Sequence, residues 1–294
     1  MPKKVVRRPK SPDEELPLEL HLEELAERLK RSIIAFLLAF VVITFIPISL
    51  EYSYVPLVAV AAREMVEYVL PKTVTWMGRT YNVTLIYVGA FEGFAVLLYV
   101  SLLFALIVSS PYIGYQVYAF IEPALYPHEK AAAKRGIAAG LGLFVFGVLL
   151  GYFVICPLTL RIMLLLQAVP LPEGSAIVGM TVNNLLSFII KLCLTTGASF
   201  LVPLAVYYLI AFEVLDYSKF EGFNARLAFV VIMLIAALIT PDPSGLTMLI
   251  LALPYYALFV AGVKLGKRRV LAKRAQRRPS SSSKRRDHAT TMGA

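Results

Sequence analysis

An uncharged apolar run from Phe94 to Tyr118 restricts the fold of this chain more than any other feature of its sequence. A helix needs about 20 mainly apolar residues to cross the ~30 Å hydrocarbon core of a bilayer, and this run is longer than that. Of the 294 residues, 59% are hydrophobic and 16% are charged, a balance that a soluble domain cannot bury. The run therefore predicts a membrane-spanning helix in a membrane protein.

Five further apolar segments repeat the pattern: Ile33–Leu50, Gly136–Leu158, Leu185–Phe212, Leu227–Ile239 and Leu246–Val263. The sequence TPDPSG separates the last two, because prolines lack a backbone donor and stop a helix. As a helix, Leu227–Ile239 would be about 20 Å long, which is less than the hydrocarbon thickness. We predict an all-α membrane protein with six transmembrane helices, of which the last two are short.

The distribution of basic residues predicts the orientation of these helices. Six spans place both termini on one side, and the segments on that side carry 24 Lys and Arg residues against four in the opposite loops. Because basic residues accumulate in cytoplasmic loops, both termini are predicted in the cytoplasm of a multi-pass protein of the cell membrane. Three regions follow: a cytoplasmic amphipathic segment 1–31, a six-span domain 32–263, and a basic, flexible cytoplasmic tail 264–294. We expect no cleaved signal peptide.

The segment before the first span has the pattern of an amphipathic helix. Four leucines recur at spacings of four, three and four residues, and Glu24–Arg28 and Glu27–Arg31 are spaced for ion pairs on a helix surface. Such a helix is typical of a membrane surface. Its acidic face is unusual beside an anionic leaflet and indicates a basic partner.

The loop after the second span combines prolines, aromatic residues and carboxylates. Pro123 and Pro127 end the helix, and Glu122 and Glu129 lie at headgroup level beside a basic patch that begins at Lys130. Two interpretations remain open. The carboxylates pair with the neighbouring lysines, or they bind a pair of guanidinium groups from a ligand.

Four stretches of the sequence resemble one family in order and spacing. They are HLEELAERLKRSIIAF, SPYIGYQVYAFIEPALYPHEK, LLSFIIKLCLTTGASFLVPLAVYYLI and ITPDPSGLTMLILALPYYALF. Together they cover most of residues 20–260 and resemble TatC, the multispanning receptor subunit of the twin-arginine protein translocase. The His-Leu-x-Glu-Leu opening and the Tyr-Gln-x-x-x-Phe-x-x-Pro-x-Leu-Tyr-x-x-Glu loop carry most of the resemblance.

The resemblance implies a function and a site. In this family the N-terminal segment and the first cytoplasmic loop bind the paired arginines of signal peptides on folded cargo proteins. Glu24 and Glu129 match the glutamates that contact the signal, and Phe120, Pro123 and Tyr126 match residues that shape the loop. We include Arg28 because of its spacing from Glu24.

The family also implies partners: small TatA- and TatB-type membrane subunits and other copies of the chain. For the basic tail we expect anionic lipid and no nucleic acid.

The chain departs from the family in its fourth span. Leu201 stands where the family usually has a glutamate thought to meet the small subunits, so we predict that Thr195, Gly197, Ser199 and Leu201 form the partner contact, chiefly through packing. Lys191 lies in the same span. It either reaches the outer membrane surface with its long side chain or faces a partner, and Glu92 is a candidate for pairing with it.

Other function classes find little support in the sequence. The chain has no GxxxxGK[ST], GxSxG or HExxH motif, and Cys156 and Cys193 are expected to be buried thiols, so we predict no enzyme, no metal and no cofactor. A secondary transporter of a small solute is the alternative, since it would also be all-helical. Against it, the spans lack paired carboxylates and an evident inverted repeat.

Overall fold

The protein is described by a computed structural model that covers residues 18–49, 55–76, 79–168, 177–220, 223–240 and 245–277. The helices of this part are α1 Leu18–Phe45, α2 Leu57–Val69, α3 Glu92–Ile121, α4 Pro127–Leu150, α5 Cys156–Ala168, α6 Val182–Ser199, α7 Leu201–Ala211, α8 Phe223–Ile239 and α9 Leu246–Arg277. The strands are β1 Pro47–Ser49, β2 Val55–Pro56, β3 Thr73–Trp76, β4 Arg79–Ile86 and β5 Ile177–Thr181. The helical frame is confirmed, and the short strands were not predicted.

Four helical segments in the described ranges are long and apolar enough to cross a membrane: Glu92–Ile121, Lys130–Gln167, Val182–Ala211 and Leu246–Ala272. Two predicted spans are shorter. Helix α1 ends at Phe45 rather than Leu50. Its apolar part begins only after the charged residues that end at Arg31, so this part is shorter than the predicted span. Helix α8 has 17 residues, in agreement with the short fifth span predicted.

The last helix differs from the prediction. We expected a short sixth span and a flexible tail from Lys264, but α9 is continuous for 32 residues, to Arg277. The reason is that Lys, Arg, Ala, Leu and Gln are good helix formers, and Val270 is buried among them. The part of the predicted tail beyond Arg277, like the predicted region before Leu18, lies outside the described residues.

Two prolines inside the long helices have their lost backbone bonds replaced. A proline cannot donate to the carbonyl four residues before it. In α3, Pro111 releases the carbonyl of Ile107, which accepts a 2.7 Å hydrogen bond from the Ser110 hydroxyl. Between α4 and α5, Pro157 releases the carbonyl of Phe153, within a π-helical turn at Gly151–Ile155.

The carbonyl of Phe153 is satisfied from another helix. It accepts a hydrogen bond of 3.3 Å from the hydroxyl of Tyr68 on α2. The ring of Tyr68 also stacks on Tyr152, with 5.3 Å between the ring centroids. The wide turn and the donor from α2 together let the long segment Lys130–Gln167 continue through Pro157.

The chain divides into two compact units, and the first contains Met1–Leu201 with Ile239–Met248. In this unit α1 packs along α3, and α6 packs against both α3 and α4. Gly147 on α4 and Gly197 on α6 let these helices approach closely: a Cβ on Gly147 would lie 2.9 Å from the Cα of Gly197. Helices α4 and α6 are therefore closely packed in the first unit.

The opposite end of the first unit carries a small sheet and a short helix. Strands β3 and β4 form an antiparallel hairpin, and β5 pairs in parallel with β4, from Asn82 opposite Ile177 to Ile86 opposite Thr181. Helix α2 buries Val58, Ala62, Met65 and Val69, one face of a helix. Thr181 then begins α6, because its hydroxyl accepts from the Asn184 backbone amide at 3.1 Å.

The second unit contains Val202–Leu238 with Leu249–Ala294. In it α9 approaches α7 through glycines: a Cβ on Gly262 would lie 2.8 Å from the carbonyl oxygen of Pro203. Arg269 of α9 donates to the Tyr207 hydroxyl at 3.3 Å. The basic end of α9 is thus held as a helix by contacts within this unit.

Candidate functional site

The first half of α1 forms the amphipathic helix that the leucine spacing predicts. Leu22, Leu25 and Leu29 are exposed, at 53%, 42% and 57% of full exposure, as expected for a helix that meets a membrane or a partner. The helix is continuous from Leu18 through the apolar half to Phe45. The predicted border between residues 31 and 32 is therefore a change of composition inside one helix.

The loop after α3 is a tight turn between two helices. Helix α3 ends at Ile121, a 3₁₀ turn covers Glu122–Ala124, and α4 begins at Pro127, where the missing amide donor costs nothing. Pro123 lies in the 3₁₀ turn. The prolines thus reverse the chain within a few residues and keep the start of α4 beside the end of α3.

A ring contact joins the two motifs that are predicted to be cytoplasmic. His21 of α1 stacks on Phe120 of α3, with 4.7 Å between centroids and 29° between the ring planes. Since α1 and α3 are each other's main packing partners and His21 meets the last turn of α3, the two helices are antiparallel here. The structure therefore brings the predicted N-terminal segment and the predicted loop together, through a histidine that we had not included in the site.

Glu24 lies one turn after His21 and is paired with Arg28. The Nε of Arg28 donates to Oε1 of Glu24 at 3.0 Å, and Nη2 donates to the same oxygen. The side chains are 31% exposed for Glu24 and 16% for Arg28. Because both of these bonds use Oε1, Oε2 keeps acceptor sites for a further donor.

The Glu27–Arg31 pair has the same spacing and connects the same two atoms, Nη2 and Oε1. It is far more exposed, with 64% for Glu27 and 53% for Arg31. The sequence pattern gives the two pairs equal weight, and only the structure shows that Glu24 is the half-buried one, on the turn next to the His21 stack.

The two carboxylates of the loop differ in what can be said of them. Glu122 accepts from the ammonium of Lys130 at 3.3 Å, so for this residue the lysine-pairing interpretation is correct. Glu129 lies in the first turn of α4, where the positive end of the helix dipole favours an acid, but its side chain lies outside the described structure. Tyr126 is 46% exposed in the same turn.

Gln116 is a second residue that the sequence did not single out. It lies one turn before Phe120 on the same face of α3, is 4% exposed, and its Oε1 has no hydrogen-bond partner in the described structure. A buried amide oxygen without a donor is rare and costs free energy. Its only signal in the sequence is its place in the Tyr-Gln-x-x-x-Phe motif.

The predicted partner contact on α6 needs one correction. Gly197 is buried, and a Cβ there would lie 2.7 Å from Val148 of α4, so Gly197 packs within the chain and no partner can reach it. Thr195 and Leu201 are exposed, while Ser199 is half-buried and donates to the carbonyl of Thr196 at 2.9 Å. Spacing alone could not separate these two faces, because Gly197 and Ser199 both read as small residues suited to helix contacts.

Glu92 and Lys191 do not form the ion pair that we considered. Glu92 is the first residue of α3, and its Oε2 accepts from the Val88 backbone amide at 3.1 Å. Lys191 is exposed on α6, and no described acidic side chain pairs with it. Within the described ranges no group of three His, Cys, Asp or Glu side chains is close enough to hold a metal ion.

Comparisons with known proteins identify the family of this chain. The family model described as "Sec-independent protein translocase protein (TatC)" matches residues 20–254. The TatC protein of Aquifex aeolicus (strain VF5) is 32% identical over 86% of this chain and 95% of its own length. The TatC protein of Azotobacter chroococcum mcd 1 is 31% identical over 87% of this chain and 91% of its own.

A solved structure is also similar. The crystal structure titled as the twin-arginine translocase receptor TatC superposes with a TM-score of 0.63 at 29% identity, and covers 85% of this chain and 99% of that one. The resemblance inferred from the sequence motifs is confirmed. This chain belongs to the TatC family, and it is a membrane-embedded component of a Sec-independent protein translocase.

Proposed function

We propose that this protein is the receptor that binds the twin-arginine signal peptides of folded cargo proteins. The binding site lies where α1, the end of α3 and the start of α4 meet. The observation that carries the proposal is the His21–Phe120 stack, since it holds the acidic turn of α1 beside the proline turn. Together with the packing of α1 along α3, this contact places the turn that carries Glu24 near the loop that leads to Glu129.

The chemistry of this site suits two adjacent guanidinium groups. A carboxylate accepts from an arginine through two parallel bonds, which a lysine ammonium cannot match. Arg28 donates two bonds to Oε1 of Glu24 and leaves Oε2 for one bond from the first arginine of the signal; the second bond of a fork forms when Arg28 releases Oε1. Glu129, in the first turn of α4, takes the second. The Gln116 oxygen, buried and without a donor one turn from Phe120, is a further acceptor if the signal separates α1 from α3.

We infer an orientation in which this site faces the cytoplasm. Six spans, formed by α1, α3, α4–α5, α6–α7, α8 and α9, place both termini on the cytoplasmic side, in line with the excess of basic residues there. The basic end of α9 then meets anionic lipid at the inner leaflet. Residues 1–31 serve as the cytoplasmic signal-binding segment of the six-span domain 32–263.

We also propose that small TatA- and TatB-type subunits, and other copies of this chain, assemble on the spans after the signal docks. The exposed side chains Thr195, Ala198 and Leu201 provide a face for such a helix on the first unit. A chain of this size cannot enclose a folded cargo protein by itself, so partner subunits must form the passage. No nucleic acid, cofactor or chemical reaction is part of this proposal.

The sharpest test compares two signal peptides that differ only in the arginine pair. The full-length protein in phospholipid vesicles is titrated with a labelled twin-arginine peptide and with its twin-lysine counterpart, and binding is measured by fluorescence anisotropy. We expect the arginine peptide to bind about ten-fold more tightly or better, since it alone can form bidentate bonds. Equal binding of both peptides, or binding of neither, would contradict a receptor role.

Reporter fusions test the orientation. Fusions after Arg135 and Arg226 are expected to report the cytoplasm, and fusions within 72–82, within 170–176 or at Ser244 the opposite side. A periplasmic alkaline phosphatase and a cytoplasmic fluorescent protein give opposite readouts at each position. A cytoplasmic result at Ser244 would show that α8 and α9 do not both cross the membrane.

A further inference from the structure

Helix α6 exposes a polar face where a lipid-facing helix should be apolar. The polar residues Asn184, Lys191 and Thr195 are exposed, and Ser187, half-buried, lies on the same face, which ends at the exposed and apolar Ala198. The opposite face is buried against α3 and α4. We propose that this polar face binds a membrane-spanning helix of a partner subunit that carries one carboxylate at the depth of Lys191.

Lys191 supplies the charge that defines the partner. Its ammonium has three donors, and no described acidic side chain pairs with it. Glu92, the pairing partner considered from the sequence, accepts a hydrogen bond from the Val88 amide instead. The hydroxyl of Thr195 donates to the backbone carbonyl of Lys191 at 2.7 Å, so this bond involves the main chain of Lys191 and not its ammonium. An aspartate or glutamate from outside the chain satisfies this ammonium best.

The position of Lys191 fixes the depth of that acid. Lys191 follows the start of α6 at Val182 by nine residues, or about 14 Å along the axis. A hydrocarbon core of about 30 Å then places it in the half of the membrane nearer to Val182. Side chains on a helix tilt toward its N-terminus, so the ammonium points further in the same direction.

Two features separate a binding face from a lysine that only reaches the headgroups. Asn184 and Ser187 continue the polar face from Lys191 toward the helix start, whereas a lysine that reaches past its neighbours needs no polar residues beside it. The second feature is Leu201, which stands where the family usually has a glutamate. It is apolar and 39% exposed, so it offers no charge to a partner. The charged anchor of this chain thus lies in the middle of α6, ten residues before Leu201. The inference rests on the proposed function in taking the partner to be a small membrane subunit.

Synthetic single-span peptides test this directly. The full-length protein is reconstituted in phosphatidylcholine vesicles with a leucine-alanine peptide that has one glutamate in its outer half, and association is measured by energy transfer. We expect the glutamate peptide to associate about ten-fold more tightly than the same peptide with glutamine. Lys191→Met should remove this preference and Lys191→Arg should keep it.

A displaced charge gives the matched control. In Lys191→Met/Ala198→Lys the charge moves seven residues along the same face, about 10 Å, so the preference should move to a peptide whose glutamate is about 10 Å deeper. Binding of the twin-arginine peptide, measured in the same vesicles, should be unchanged in every variant, which separates this inference from the receptor role. Equal association of the glutamate and glutamine peptides, or an unchanged preference in Lys191→Met, would overturn the proposal.

Discussion

Glu24→Ala and Glu129→Ala are each expected to weaken binding of a twin-arginine signal peptide about ten- to a hundred-fold. Each change removes a carboxylate that we propose to pair with one guanidinium, and charge-assisted bonds of this kind are about twice as strong as neutral ones. The amount of protein in the membrane should stay the same, because Glu24 is on the helix surface and is not part of the core. Titration of the labelled peptide into reconstituted protein measures the effect.

The chain offers a control for each variant. Glu27→Ala breaks an ion pair of the same spacing on the same helix, yet Glu27 is 64% exposed, so its loss should leave binding within about two-fold. Glu122→Ala removes a carboxylate that Lys130 already engages, in the 3₁₀ turn that precedes the helix of Glu129. Losses as large in the two control variants as in Glu24→Ala and Glu129→Ala would mean that the site attracts arginine by general charge and has no specific clamp.

Gly147→Ala is expected to destabilise the first unit by about 1–3 kcal/mol or more. The added Cβ would lie 2.9 Å from the Cα of Gly197 and 3.0 Å from the carbonyl oxygen of Thr196. Both are backbone atoms, so α4 and α6 must move apart to admit it. A lower Tm in detergent, followed by size-exclusion chromatography after heating, checks this.

Gly142→Ala is the matched variant for this prediction. Gly142 lies on the same helix, is exposed, and has no atom within 4 Å of the position of an added Cβ. Alanine favours a helix over glycine by about 1 kcal/mol, so this variant should be as stable as the original or more so. Equal Tm values for the two alanine variants would show that α4 and α6 are not closely packed at Gly147.

The frame of the protein followed from hydrophobicity because the period and length of apolar runs depend on local sequence. Phe94–Tyr118 was predicted as a span and became α3, Glu92–Ile121, with little error at either end. The pairing of β4 with β5 could not be found this way, since it joins segments far apart in the chain and no local pattern sets their register. The continuation of α9 was missed because its basic residues were interpreted by charge and not by helix propensity.

The sequence supplies the candidate site residues, and only the structure supplies the contacts between them. Glu24, Phe120 and Glu129 stand out because of the motifs, whereas the stack of His21 on Phe120 depends on how α1 packs along α3. Gly197 was assigned to a partner for a related reason. Small residues allow close helix contacts with any neighbour, and only the packing shows that α4 occupies that face.

The Tyr68 hydrogen bond attaches α2 to the α4–α5 segment at a backbone carbonyl to which a proline cannot donate. Pro157 cannot donate to the Phe153 carbonyl, and this carbonyl accepts from the Tyr68 hydroxyl on α2. At this carbonyl the α4–α5 segment therefore depends on the short helix α2, which lies at the end of the unit opposite the proposed signal site. A proline that leaves one carbonyl without its helical donor thus provides a contact between two elements that are distant in sequence.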